Sequence, residues 1–126
     1  MKTFKIPLAV LTALVALALL NAAVLTRQCA VWRQQTEKMV KLASQGQWQQ
    51  AEESLDALYA SWERWDGYLR VTTEHDEVES VDTMIEECRV MLGQQNHDTL
   101  SLYATQMNFQ FSHLSELQTF SLSNLL

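Results

Sequence analysis

The stretch Glu74-His75-Asp76-Glu77-Val78-Glu79-Ser80-Val81-Asp82 holds most of what this chain offers as chemistry. An imidazole at 75, a carboxylate at 79 one helical turn on and another at 82 share one helical face. Such a face could offer nitrogen and oxygen to a metal ion. The preceding segment adds aromatic surface with Trp48, Tyr59, Trp62, Trp65 and Tyr68. His75, Glu79, Trp62 and Trp65 are therefore the candidate binding residues, for a small ligand. A plainer reading is stronger at each of them. Acids in the first turn of a helix satisfy its dipole and its free N–H groups. A closed zinc site wants four soft or imidazole ligands, and a calcium loop wants glycine with regular Asp/Asn spacing, so no metal site is assigned. Tryptophans at heptad spacing belong in a core, which leaves the off-seam Tyr59 and Tyr68 as the better exposed contacts. His97 and His113 read as surface or boundary residues. No Ser or Cys stands at a catalytic spacing from a His and an acid, and no glycine-rich phosphate loop exists, so no enzyme and no cofactor are expected.

The elements that must position these residues are helices. One Pro and three Gly in 126 residues argue against a turn-rich β fold. Trp48, Ala51, Leu55, Leu58, Trp62, Trp65 and Leu69 alternate three- and four-residue steps, a heptad seam that predicts a helix from Trp48 to about Val71, through Gly67. Thr72 and Thr73 offer capping hydroxyls for the next helix, which carries Val78, Val81, Ile85, Cys88 and Leu92 and closes at Gly93. Written in reverse, the two seams register: Leu69 with Val78, Trp65 with Val81, Trp62 with Ile85, Leu58 with Cys88, Leu55 with Leu92. That predicts an antiparallel hairpin. A further helix opens after Asn96-His97-Asp98, with Leu100, Tyr103, Met107, Phe111 and Leu114 on one face and Leu102 and Phe109 widening it. The apolar tail Phe120–Leu126 should be packed down or lie in an interface.

Ahead of all this, Ile6 through Leu25 form twenty uncharged residues, about 30 Å of helix and the thickness of a bilayer's hydrocarbon core. No Ala-x-Ala site follows, and Cys29 has no lipoprotein box before it, so the segment reads as an uncleaved anchor. Trp32, Met39 and Ala43 continue one stripe to Gly46, a good left-handed stop, so the membrane helix runs on into the domain. The fold class is all-α: an N-terminal transmembrane helix continuing into an up-and-down antiparallel bundle of about four helices. The anchor is placed at residues 1–26 and the bundle at 27–126. Residues 1–46 carry a net charge of +5 and residues 47–126 a net charge of −11. A basic base under an acidic body suits an anionic membrane and disfavours nucleic acid. Lys2 and Lys5 favour a cytoplasmic N-terminus and an extracytoplasmic bundle, although Arg27, Arg33, Lys38 and Lys41 pull the other way. The acids at 74–82 return to the level of Arg27 and Arg33 and are expected to pair with them. Cys29 near the membrane and Cys88 well up the bundle lie too far apart for a disulfide.

Several of these features together resemble the family of small membrane-anchored bacterial proteins known as domain of unknown function 4363, found mostly in spore-forming Gram-positive bacteria. The likeness rests on the short anchor, Gly46-Gln47-Trp48-Gln49-Gln50-Ala51, and Trp62 fourteen residues after Trp48. It continues through His75-Asp76-Glu77-Val78-Glu79-Ser80-Val81 to Ser121-Leu122-Ser123-Asn124-Leu125. Gln47 departs from it, standing where an acid or Asn is expected. The resemblance implies an all-helical extracytoplasmic domain and carries no activity with it. The functional expectation is a single-pass, non-enzymatic interaction or accessory module at the bacterial cell surface, with a membrane or envelope protein as partner. Homo-oligomerisation is left open. The alternative is a small-ligand or metal sensor with its pocket near His75.

Overall fold

Two short breaks and one extended residue divide the chain into four helices in the computed structural model, which describes the backbone of residues 2–125 and the side chains of residues 5–119. They are α1 (Lys2–Ser44), α2 (Trp48–Thr72), α3 (His75–Gly93) and α4 (His97–Leu125). The first break is built on Gly46, whose φ of 75° is left-handed. It lets Gln47 N–H reach the Leu42 carbonyl at 2.9 Å and Gly46 N–H reach Ala43 at 3.0 Å, a Schellman stop. The same pair of bonds ends α3, from Asn96 to Met91 at 3.0 Å and from Gln95 to Leu92 at 3.1 Å. There the left-handed residue is Gln95, with φ of 53°, two positions past the Gly93 that closes the helix. Asn96 then caps α4, its Oδ1 accepting from Thr99 N–H at 3.2 Å. Pro7 lies one turn deeper than a first-turn proline, because α1 already starts at Lys2.

Between α2 and α3 the chain turns at extended Thr73, and the expected threonine caps do not form. Thr72 Oγ1 donates back along α2 to the Tyr68 carbonyl at 3.1 Å, and the N-cap position of α3 is Glu74, with no side-chain cap bond. The acids Asp76 and Glu77 sit in that first turn instead, where the dipole favours them.

Among the described residues, each helix sends five apolar side chains into one buried core of twenty. On α1 these are Leu25, Cys29, Trp32, Met39 and Ala43; on α2, Ala51, Leu55, Leu58, Trp62 and Leu69. Val78, Val81, Ile85, Cys88 and Leu92 come from α3, and Leu100, Ala104, Met107, Phe111 and Leu114 from α4. The α1 stripe is completed by buried Thr36, whose hydroxyl donates to the Trp32 carbonyl at 2.9 Å. α1 packs on α2 and α4, and α3 packs on the same two, so neighbours in sequence are antiparallel neighbours in space. The Asp56–Arg89 bridge at 2.7 Å and the Trp62–Asp82 bond at 2.7 Å lie within three residues of the hairpin register read from the seams.

This arrangement overturns one expectation. α1 and α3 stand across the bundle's diagonal, so the acids of α3 face α2 and α4 and do not meet Arg27 or Arg33. Glu77 takes Gln110 Nε2 at 2.6 Å and lies 3.4 Å from His113 Nε2, while Arg33 donates to Ser112 Oγ at 3.2 Å. Cys29 and Cys88 are buried free thiols on separate core stripes. The tail's backbone stays helical to Leu125, and its side chains from Phe120 on lie outside the described residues.

Candidate functional site

Trp62 is fully buried, yet its indole N–H must have an acceptor, because an unpaired donor in the core costs about 1–3 kcal/mol. The acceptor is Asp82 Oδ1 at 2.7 Å, supplied by α3 just past the seam residue Val81. The other oxygen of Asp82 lies 3.6 Å from Arg70 Nη2. Arg70 Nε bonds Asp66 Oδ2 one turn back at 2.9 Å, and Arg70 Nη1 lies 3.1 Å from His75 Nδ1. His75 Nε2 in turn lies 2.7 Å from Glu79 Oε1. A continuous polar chain thus runs from the core outward: Trp62, Asp82, Arg70, His75, Glu79.

Donor and acceptor roles along it follow from chemistry. Arginine only donates, so Nδ1 of His75 accepts; the carboxylate of Glu79 only accepts, so Nε2 donates. The neutral Nε2–H tautomer, assigned from these partners, satisfies both. Burial pushes the Asp82 carboxyl above its ordinary range, while the Trp62 bond and Arg70 pull it back and Asp66 and Glu63 push it further up. Arg70 is held charged chiefly by its bond to Asp66. The chain ties the end of α2 to the start of α3. Among the described residues, no three His, Cys, Asp or Glu side chains converge to hold a metal ion.

Of the four candidate residues, Trp62, His75 and Glu79 belong to this chain, Trp62 as its buried root and the other two on the surface. Trp65 belongs elsewhere. It is half-buried, edge-on to Trp32 at 6.3 Å and to Tyr68 at 5.5 Å. With Tyr68, Arg64 and Thr72 of α2 it lines one wall of an open groove of about 710 Å³; Leu14, Leu17, Leu20 and Val24 of α1 line the other. The residues that sequence reasoning passed over are Arg70 and Asp66, while Asp82 was named only as a possible ligand beside His75 and Glu79, not as the acceptor for Trp62. The Asp66–Arg70 pair was visible as i,i+4 spacing. Asp82 was reachable from the hairpin register, since it adjoins Val81.

The groove sits where the apolar stretch of α1 meets the bundle. That stretch is exposed on nearly all sides, and α1 is long and apolar enough to cross a membrane. Its apolar character ends at a polar layer shared by three elements. Asn21 Nδ2 donates to Gln118 Oε1 at 3.4 Å, and Gln118 Nε2 reaches Thr73 Oγ1 at 3.5 Å. The α2–α3 turn therefore lies level with Asn21, not with Leu25. The uncharged run below that layer, Ile6–Leu20, is about 22 Å long at 1.5 Å per residue. α1 passes residue 26 unbroken, and its side chains enter the bundle from Asn21 onward.

Fold and site define an all-α protein: one helix of membrane-crossing length and composition running without interruption into a four-helix bundle. The model of a family described as a domain of unknown function (DUF4363) matches residues 19–125, and the chain belongs to that family. The match begins just ahead of Asn21 and takes in the whole bundle. No curated protein and no solved structure matches the chain.

Proposed function

We propose that this protein is a single-pass, membrane-anchored interaction module without enzymatic activity, its bundle on the extracytoplasmic side. The observation that carries the anchoring is the Asn21–Gln118–Thr73 layer. It closes the apolar run with side-chain amides and a hydroxyl, groups that belong at a water–lipid boundary and not within hydrocarbon. The run beneath it is shorter than a typical hydrocarbon core of about 30 Å. Lys5 can snorkel to the far headgroups, and local thinning closes the remainder. Non-enzymatic action is supported by the state of the groups that would react. Burial pushes both cysteine thiols up to about 12, far from a reactive thiolate. The ring nitrogens of His75 are both engaged within the chain, so a ligand or metal at that residue must first displace Arg70 or Glu79. That weighs against the sensor reading.

Protease treatment of intact protoplasts tests the placement: the bundle is degraded while the first residues survive. Survival of the bundle reverses the orientation. Photo-crosslinkers at exposed bundle positions such as Tyr59, in the full chain within its membrane, test the module. One stoichiometric partner at a contiguous set of positions is the expected result, and the chain recovered alone at every position counts against it.

A further inference from the structure

The groove between α1 and α2 is amphipathic along its length, and the order of its parts matches that of a phospholipid. α1 ascends from the apolar stretch while α2 descends toward it, so Leu14 and Leu17 lie deep, Leu20 lies near the Asn21 layer, and Val24 lies above it. Leu17 and Leu20 are 64% and 61% exposed. Such apolar area in contact with water would be costly; in contact with acyl chains it is not. Trp65 and Tyr68 form the facing wall at the level where amphipathic aromatics sit in membranes. Arg64 lines the upper end, and Arg27 is exposed on α1 one turn above Val24. Neither arginine makes an ion pair among the described residues, and no acidic side chain lines the groove, although the bundle as a whole is acidic.

We propose that this groove holds one acyl chain of an anionic phospholipid, its phosphate between Arg64 and Arg27 and its tail along Leu20, Leu17 and Leu14. Charge complementarity selects this occupant. A second protein helix would fill the lower, apolar part equally well, but would leave two cations unpaired at the upper rim. The inference rests on the anchored reading above, and it adds a specific lipid class and a place for it.

Trp65 is a built-in reporter. Trp32 and Trp62 are fully buried, and Trp48 opens α2 some 25 Å up the helix from Trp65 at 1.5 Å per residue. The full chain is reconstituted in vesicles containing either brominated phosphatidylglycerol or brominated phosphatidylcholine. Bromine quenches tryptophan only on contact, so the quenchable fluorescence reads acyl chains in the groove; Trp65→Phe defines that component. The expected result is preferential quenching by the anionic lipid, about fivefold for each arginine, the scale of one basic side chain's attraction to an anionic surface. Arg64→Gln and Arg27→Gln each remove one such factor, with far-UV circular dichroism confirming an intact bundle. Equal quenching by the two lipids, or a preference that survives both substitutions, overturns the proposal. A Trp65 that stays unquenched while the protein floats with the vesicles also overturns it, and assigns the groove to a protein helix. Failure to float overturns the anchoring itself, an outcome distinct from the other two.

Discussion

Trp62→Phe isolates the link between the core and the polar chain. Phenylalanine keeps the ring-on-ring contacts with Trp32 and Phe111, at 5.0 and 6.1 Å between centroids, and removes the N–H that meets Asp82. A hydrogen bond to a charged acceptor is worth about 1.5–3 kcal/mol. The Asp82 side chain is 35% exposed, so water replaces part of that bond and the lower end applies. The smaller ring also leaves a void of roughly 40 Å³, which at about 24 cal/mol per Å³ costs another 1 kcal/mol or so. The loss is therefore about 2.5 kcal/mol, or on the order of 10–20 °C in the melting temperature of a bundle this size. Urea unfolding of the full chain in detergent micelles, followed by far-UV circular dichroism, measures it. Asp82→Ala strands the indole donor and should cost about 1–3 kcal/mol. The double variant should then be milder than the sum of the two by about 1–2 kcal/mol. Strict additivity would falsify the bond and, with it, the connection from the core to His75.

Asp82 also sets a pH dependence. Burial raises its folded-state pKa, so the folded chain holds this proton more tightly than the unfolded chain. Its contribution to stability therefore grows as pH falls from the raised value toward the ordinary 3.8 and is lost as pH rises. Asp82→Asn should gain relative to the parent near neutrality, with the gap closing toward about pH 4; a gap that widens on acidification refutes the assignment. At the two Schellman stops, Gln95→Gly should stabilise and Gly46→Ala destabilise, each by about 1 kcal/mol in the same unfolding assay, because only glycine takes φ of 53° or 75° without strain. Gly67→Ala should stabilise by about 0.5–1 kcal/mol, since the position is helical and an added Cβ meets nothing within 4 Å. Both thiols should resist a maleimide at about pH 8 in the native chain and react once it is unfolded; fast native labelling of either would contradict their burial.

The heptad seams made the bundle legible. Period-3.5 apolar spacing leaves a helix one way to hide its stripe, and short connections between stripes force antiparallel neighbours, so the antiparallel pairing of α2 with α3 followed from residue order alone. The candidate site was half legible. His75 and Glu79 stood out as one helical turn of ligand-type side chains, and their pairing at 2.7 Å is a local matter. The role of Arg70 was legible only toward Asp66 on its own helix, because its other partners Asp82 and His75 come from α3, whose azimuthal angle against α2 only packing sets.

From residue order alone came four helices, their direction, the core stripe on each and an apolar first segment of membrane-crossing length, since all of these are one-dimensional periodicities. Tertiary structure alone decided how the bundle closes, with α4 packed back against α1. It placed α1 across the diagonal from α3, and so sent the α3 acids to Arg70, Gln110 and His113 and left Arg27 free of them. It also set the height of the α2–α3 turn against α1, which moved the polar boundary down to Asn21 and opened the groove beside Trp65. A stripe says that a face is buried, but not against whom or at what level; that depends on how four side-chain surfaces interlock at once.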